Sequence, residues 1–358
     1  MRTSHVKLFV PGPIEVRPEV LQAMATPQIY HRTPEFRNLY AELQGKLRKF
    51  LYTEQPVLLF ASSSTGVMEA AVRNCVGKKV LHVVNGAFAQ RWYEISQACG
   101  VPADALEVPW EKAARPAEIA ARLKTGQYDA VAVVYNETST GLMNPLPEIA
   151  EAVREFPDVL LLVDAVTAMG GVKIEFDKLG LDVCLAGVQK CFGLPPGLAV
   201  CALSERAIKR AEALKPKTYY FSFPVMLKSH GKNETPATPS VPHLFALNVQ
   251  LDYFFEEGLD RRFARHEEMA EVVQAWAKRH FALYPEAGYE SKTVTCVKNT
   301  RGITVDTLNK TLIARYGLRI SNGYGDLREK TFRIAHMGDL TVPEIRGVLA
   351  AIDEVLGL

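Results

Sequence analysis

The sequence predicts an α/β protein: a large, mostly parallel sheet flanked by helices, followed by a smaller α+β lobe. Three observations carry this expectation. Short apolar runs alternate with amphipathic stretches from Val57 to about residue 215, the pattern of strand–helix–strand units on a mostly parallel sheet. After about residue 215 the texture changes, first to a stretch without period and then to long helical patterns. The length of 358 residues allows about two domains at ~150 residues each, with a sizeable buried core. The expected division is an N-terminal arm and large domain over residues 1–245 and a small C-terminal domain over residues 246–358.

Val57-Leu58-Leu59-Phe60 reads as the first strand, followed by a small-residue turn and a helix from Gly66 to about Cys75. Val80–Val84 repeats the theme, with Asn85-Gly86 as its turn and a helix over Phe88–Ala98. Ala130–Val134 leads into a polar loop, Asn136–Asn144, and a helix from about Pro147. Val159–Val163 is the strongest strand, because unbroken apolarity means burial on both faces. Val183–Ala186 and Leu198–Leu203 are two more strands around Gly187–Gly197. Lys215–Pro242 is rich in Pro, Thr, Ser and Lys and too long for an ordinary connector, which marks it as functional. Helical patterns cover Leu244–Glu257 and Leu259 to about Phe281. The remainder reads β, α, β, α over Thr293–Val297, Val305–Tyr316, Phe332–Ala335 and Val342–Val355.

Charge narrows the class. Lys and Arg number 42 against 40 Asp and Glu, a net charge of +2, without the basic excess of a nucleic-acid binder. No apolar run approaches the ~18 residues of a membrane-spanning helix, and Met1–Lys7 lacks the apolar stretch of a signal peptide. Six cysteines stand singly, with no CxxC, as buried thiols of a reducing compartment do; neither a disulfide scaffold nor a zinc module is expected. The expectation is a cytoplasmic enzyme that engages neither membrane nor nucleic acid and holds no metal.

Three polar features follow directly on apolar strands, where parallel strands open into a ligand crevice. Ala61-Ser62-Ser63-Ser64-Thr65-Gly66 leaves backbone N–H groups at a helix start, which suits either a phosphate dianion or a plain hydroxyl cap. It is neither a Walker loop nor GxGxxG. Asp164 ends the strongest strand; it is either a turn carboxylate or a buried acid that needs a cationic partner. Lys190 is the lone charge between Ala186 and Cys201; it is either a solvated loop lysine or a desolvated amine able to form a Schiff base. A phosphate cradle, a buried carboxylate and a lone lysine are together what pyridoxal 5'-phosphate requires.

The chain resembles the class V aminotransferases of PLP fold type I, in particular the alanine–glyoxylate / serine–pyruvate (serine–glyoxylate) group. The likeness runs through Pro11-Gly12-Pro13, Ser63–Glu69, Asn85–Arg91, Glu137-Thr138-Ser139-Thr140-Gly141, Val163–Val166, Gln189-Lys190 and Phe332–Gly338, and so spans nearly the whole chain. The resemblance implies the fold type I architecture, with a seven-stranded large-domain sheet and pyridoxal phosphate as cofactor. It makes Lys190 the Schiff-base lysine, Asp164 the partner of the pyridinium nitrogen, and Ser64, Thr65 and Gly66 the phosphate turn. Phe88 takes the place of the ring-stacking aromatic, Val166 the opposite ring face, Thr138 the hydroxyl near the phenolic oxygen, and Gln189 a polar neighbour of the phosphate. Thr235 and Thr238, in the irregular stretch, match the segment that reaches a neighbouring subunit's phosphate, which implies a homodimer with shared active sites.

Arg333 resembles the arginine that grips a substrate α-carboxylate, a task its guanidinium fork suits. Gly12 and Pro13 would line the substrate side as backbone. Tyr30–Pro34, including His31 and Arg32, reads equally as an entrance segment or a solvated turn, and His336 as structural. Cys191 adjoins Lys190 without an assigned role. The implied activity is ping-pong transfer of an amino group from a small amino acid, alanine or serine, to a 2-oxo acid, glyoxylate or pyruvate. Alternatives are aspartate, phosphoserine or aminoethylphosphonate as donor, or a non-catalytic interaction subunit. A desulfurase is disfavoured because Ile320–Asp326 holds no cysteine.

Overall fold

The structure, a computed structural model, describes residues 5–215 and 217–358. Of the expected signal-free start Met1–Lys7, the first four residues lie outside the described residues, as does Pro216 in the irregular stretch.

Seven strands form the main sheet, in the spatial order Val57–Phe60, Ala199–Leu203, Val183–Gly187, Leu160–Asp164, Ala130–Val134, Val80–Val84, Ala103–Glu107. Ala199–Leu203 runs antiparallel to both neighbours, and every other pairing is parallel. The apolar runs are continuous because both faces are covered. Leu59, Leu81, Val83, Val131, Val133, Leu161 and Val163 enter one hydrophobic cluster. Their alternates Leu58, Phe60, Val80, Ala130, Ala132, Leu160 and Leu162 enter the other. The edge strand Ala103–Glu107 is half exposed and mixes Ala, Asp and Glu, so it gives little apolar signal.

A second sheet has the order Lys7–Phe9, Leu318–Asn322, Thr331–Ala335, Val294–Lys298, Ala282–Leu283. Lys7–Phe9 pairs in parallel with Leu318–Asn322, and the other pairings are antiparallel. The helices Leu259–His280, Val305–Tyr316 and Val342–Leu356 share one apolar cluster with this sheet.

Several boundaries differ from expectation. The division at 245/246 falls inside the helix Val241–Glu257, whose Leu247, Leu251 and Phe254 pack into the first core. The change of core therefore follows that helix, while Lys7–Phe9 of the N-terminal arm joins the small sheet. The Lys215–Pro242 stretch contains a helix, Phe223–His230, with Pro224 in its first turn and the Ser222 hydroxyl accepting the Val225 N–H. The helix expected from Gly66 begins at Ser64, which puts Ser64 and Thr65 in its first turn. Ile320–Asn322 lies in the strand Leu318–Asn322.

Candidate active site

The expected strand Val159–Val163 runs over Leu160–Asp164, and pairing with Val183–Gly187 brings the loops after both strands together at their carboxyl ends. Asp164 is 3% exposed. One of its oxygens accepts the Val166 N–H at 2.8 Å, and no other protein donor reaches its carboxyl among the described residues. Burial pushes its pKa up to about 6, against the pull of the Val166 N–H and of the Lys190 ammonium.

Lys190 is 6% exposed. Its Nζ donates to Thr138 Oγ1 at 2.6 Å and to Thr167 Oγ1 at 2.7 Å, and lies 5.0 Å from the centre of the Phe88 ring. Burial drives its pKa down to about 8, opposed by the negative charges of Asp164 and Glu137. Below pH 8 the folded and unfolded chains both carry the proton. Between about 8 and 10.5 the unfolded chain binds more protons, so stability rises with pH through that window. At ~1.4 kcal/mol per unit the gain is roughly 3 kcal/mol. Denaturant unfolding of cofactor-free wild type and Lys190→Met at pH 7.5 and 10 measures it. The wild type should gain on the variant between the two, and an unchanged difference overturns the prediction.

Phe88 sits in the first turn of the helix Ala87–Ala98. Glu137, fully buried, accepts the Phe88 and Ala89 N–H groups at 3.1 and 3.0 Å through one oxygen. Its other oxygen accepts the Ser139 hydroxyl at 2.7 Å. This carboxylate at a helix N-terminus holds the ring in place, a part that no local sequence signal assigns to Glu137.

Ser64, Thr65 and Gly66 open the helix Ser64–Cys75, whose first N–H groups have no side-chain cap. Gly66 is required there: a Cβ would stand 2.2 Å from Ser62 Oγ and 2.8 Å from the Phe221 ring. Val166 is buried beside Asp164, and Gln189 is half-buried next to Lys190. Gly12 has φ +102°, and a Cβ would meet the Lys190 side chain at 3.0 Å. Only glycine lets the N-terminal arm approach the lysine so closely.

Arg333, on the strand Thr331–Ala335, is 7% exposed and pairs with no carboxylate among the described residues. Its Nε and Nη2 donate to the Asn322 carbonyl at 3.2 Å each, and Nη1 to the Thr138 carbonyl at 3.1 Å. Burial lowers its pKa. Thr138 thus touches both Lys190 and Arg333.

Two of the expected residues are not brought here. Thr235 donates to the Ala237 carbonyl and accepts, through its own carbonyl, a bond from Arg32 at 2.8 Å. With Thr238 it lines a separate small cavity of about 30 Å³ beside Ala61, Tyr219 and Tyr220. Arg32 thereby ties the Tyr30–Pro34 segment to this stretch. His336 is buried, bonds Thr295 Oγ1 at 2.9 Å and is pushed down to about 3 by burial, as a structural histidine is. Burial likewise pushes the Cys191 thiol up to about 11, which leaves it a poor nucleophile.

Thr167, Asn322, Tyr324 and Arg91 were not singled out in the sequence. Thr167 stands three positions after Asp164, but its contact with Lys190 needs the strand pairing. No sequence signal marks Tyr324.

Residues 16–325 match the family model described as Aminotransferase class-V. An uncharacterized aminotransferase of Methanocaldococcus jannaschii is 38% identical over 364 residues, covering 99% of this chain and 94% of that protein. A serine–glyoxylate aminotransferase of Methylorubrum extorquens is 33% identical over 368 residues, covering 98% and 91%. The crystal structure of an alanine–glyoxylate aminotransferase from Nostoc sp. matches with a TM-score of 0.93 at 30% identity, over 99% of this chain and 96% of that one.

Proposed function

The chain belongs to the class-V aminotransferases, and from that premise we propose that it moves an amino group from a small amino acid, alanine or serine, to glyoxylate or pyruvate, with pyridoxal phosphate as cofactor. The observation that carries the reading is the buried Lys190, held by two threonine hydroxyls between Asp164 and an Arg333 that has no carboxylate partner among the described residues.

The residues present fit the cofactor. Among the described residues one carboxyl oxygen of Asp164 has no protein donor, and the uncapped N–H groups at Ser64 and Thr65 suit a phosphate. Ser64, Thr65, Gly66 and Gln189 would hold the phosphate, Asp164 the pyridine nitrogen, Phe88 and Val166 the two ring faces, and Thr138 the phenolic oxygen. When bound, the cofactor supplies an electron sink for the donor's α-carbon and carries the amino group.

The chain's own residues do the rest. Desolvation brings the Lys190 pKa down to about 8, so the group can take and return a proton at the α-carbon. The Thr138 and Thr167 hydroxyls fix the direction of that amine. Arg333 orients the substrate carboxylate, with Gly12 leaving room beside the lysine. Burial of these groups excludes water.

Arg91, the other cation nearby, is taken up by the Phe88 face and the Tyr324 hydroxyl, which supports a neutral donor side chain. The placement of Thr235 and Thr238 away from Lys190, next to Tyr219 and Tyr220 at 67% and 45% exposure, supports a homodimer in which they serve the partner's phosphate. A reducing, cytoplasmic setting suits six cysteines that are all free. Among the described residues no helix is long and apolar enough to cross a membrane.

The test is a donor panel of alanine, serine, aspartate, phosphoserine and aminoethylphosphonate against glyoxylate, pyruvate and 2-oxoglutarate, ranked by kcat/KM. Alanine or serine with glyoxylate or pyruvate should lead. A lead for aspartate or a phosphorylated donor overturns the substrate assignment, and a loaded chain that sediments as a monomer overturns the shared site.

A further inference from the structure

Tyr324 bridges the two lobes at the site. It follows the strand Leu318–Asn322 of the small sheet. Its ring lies 5.3 Å from the Phe88 ring at an interplanar angle of 39°. Its hydroxyl accepts a bond from Arg91 Nη2 at 2.8 Å, and Arg91 itself stacks 4.8 Å from the Phe88 ring centre. On the other side the Arg333 guanidinium carbon stands 5.5 Å from the Tyr324 ring centre.

The contacts form a continuous series: Lys190 Nζ to the Phe88 ring at 5.0 Å, Phe88 to Tyr324, Tyr324 to Arg333. The base of the Tyr324 loop is fixed to the strand that carries Arg333. Asn322, whose carbonyl receives Arg333, accepts the Gly323 and Glu329 N–H groups through its side chain at 2.7 and 2.9 Å. The Gly323 N–H also meets the Thr331 carbonyl at 2.9 Å. A donor with its carboxylate on Arg333 and its amine at Lys190 therefore lies alongside two aromatic rings, one of them pinned at its far end by Arg91.

We propose that Tyr324, held by Arg91 against Phe88, determines specificity by limiting the size of the donor side chain that fits between Lys190 and Arg333. This rests on the reading of Arg333 as the carboxylate anchor. The substrate class it defines is amino acids no larger at the β-carbon than a methyl or hydroxymethyl group. Removal of the ring opens the wall and keeps both the lysine and the anchor in the chain, at the loss of the anchor's contact with the ring face.

The test separates binding from turnover. Acetate, propionate, butyrate and hexanoate are titrated calorimetrically into loaded wild type, Tyr324→Ala, Tyr324→Phe and Arg333→Gln. Wild-type affinity should fall by roughly 10-fold or more from propionate to hexanoate, the scale on which a pocket discriminates methylenes. Tyr324→Ala should level or invert that order, and Tyr324→Phe, which keeps the ring, should retain it. In turnover, Tyr324→Ala should raise the kcat/KM ratio of norvaline over alanine by at least about 10-fold. A wild type that binds hexanoate as well as propionate overturns the proposal. So does a Tyr324→Ala variant with the wild-type order, or a Tyr324→Phe variant that behaves like Tyr324→Ala. Arg333→Gln should weaken every acid. If it weakens none, the anchor assignment itself falls and the proposal with it, a failure distinct from an unchanged order in Tyr324→Ala.

Discussion

Lys190→Ala should abolish transamination, with an expected fall in kcat of at least about 10³-fold, the scale of a lost general acid–base group. The loss is chemical rather than a failure to fold. The Lys190 ammonium is buried, and burial already drives its pKa down to about 8, so truncation at pH 7 relieves a desolvation cost. Thr138 and Thr167, its two acceptors, also hydrogen-bond to each other, so neither hydroxyl is left without a partner. The Tm of the variant at pH 7 should equal or exceed that of the wild type. Borohydride treatment of the loaded wild type should leave the cofactor covalently on the peptide that contains Lys190, and the variant should show none. A variant that keeps a tenth of wild-type kcat would sink the assignment of Lys190.

Why Lys190 and Asp164 were legible while Thr167 and Tyr324 were not has a physical answer. A buried charge at the end of an apolar strand stands out along the chain, because few residues near it are charged; Asp164 and Lys190 both have that setting. Thr167 becomes a partner of Lys190 only through the parallel pairing of Leu160–Asp164 with Val183–Gly187, and neighbourhood in a sheet is not written in either strand. Tyr324 meets Phe88 and Arg91 across the junction of the lobes, so its part depends on how two cores sit together. The same reason hides the pairing of Lys7–Phe9 with Leu318–Asn322. The main strands were readable because burial on both faces leaves unbroken apolar runs. Ala103–Glu107 escaped notice because it has only one neighbour and an exposed edge. The helix Phe223–His230 escaped because Pro224 reads as a breaker, although a proline in a first turn costs a helix nothing.

Arg333→Gln should lower kcat/KM for alanine by roughly 30-fold to several thousand-fold, because loss of one partner of a buried charge pair costs about 2–5 kcal/mol. The magnitude follows from how the guanidinium is held. Its Nε–H and one N–H of Nη2 go to the Asn322 carbonyl, and one N–H of Nη1 goes to the Thr138 carbonyl. Of five N–H groups, one on each terminal nitrogen remains, the pair that grips a carboxylate through two parallel bonds. Glutamine offers one NH₂ and no charge. Arg333→Lys should not restore the activity, since an ammonium cannot satisfy both backbone carbonyls and still present a fork. The effect should appear in both half-reactions, because donor and acceptor alike carry a carboxylate. Ethanolamine, an amine without one, should be a poor donor to the wild type and should lose little further on substitution. If kcat/KM for alanine falls less than 5-fold, or if ethanolamine suffers as much as alanine, Arg333 is not the carboxylate anchor, and the buried cation then serves only to join the Asn322 and Thr138 backbones across the lobes.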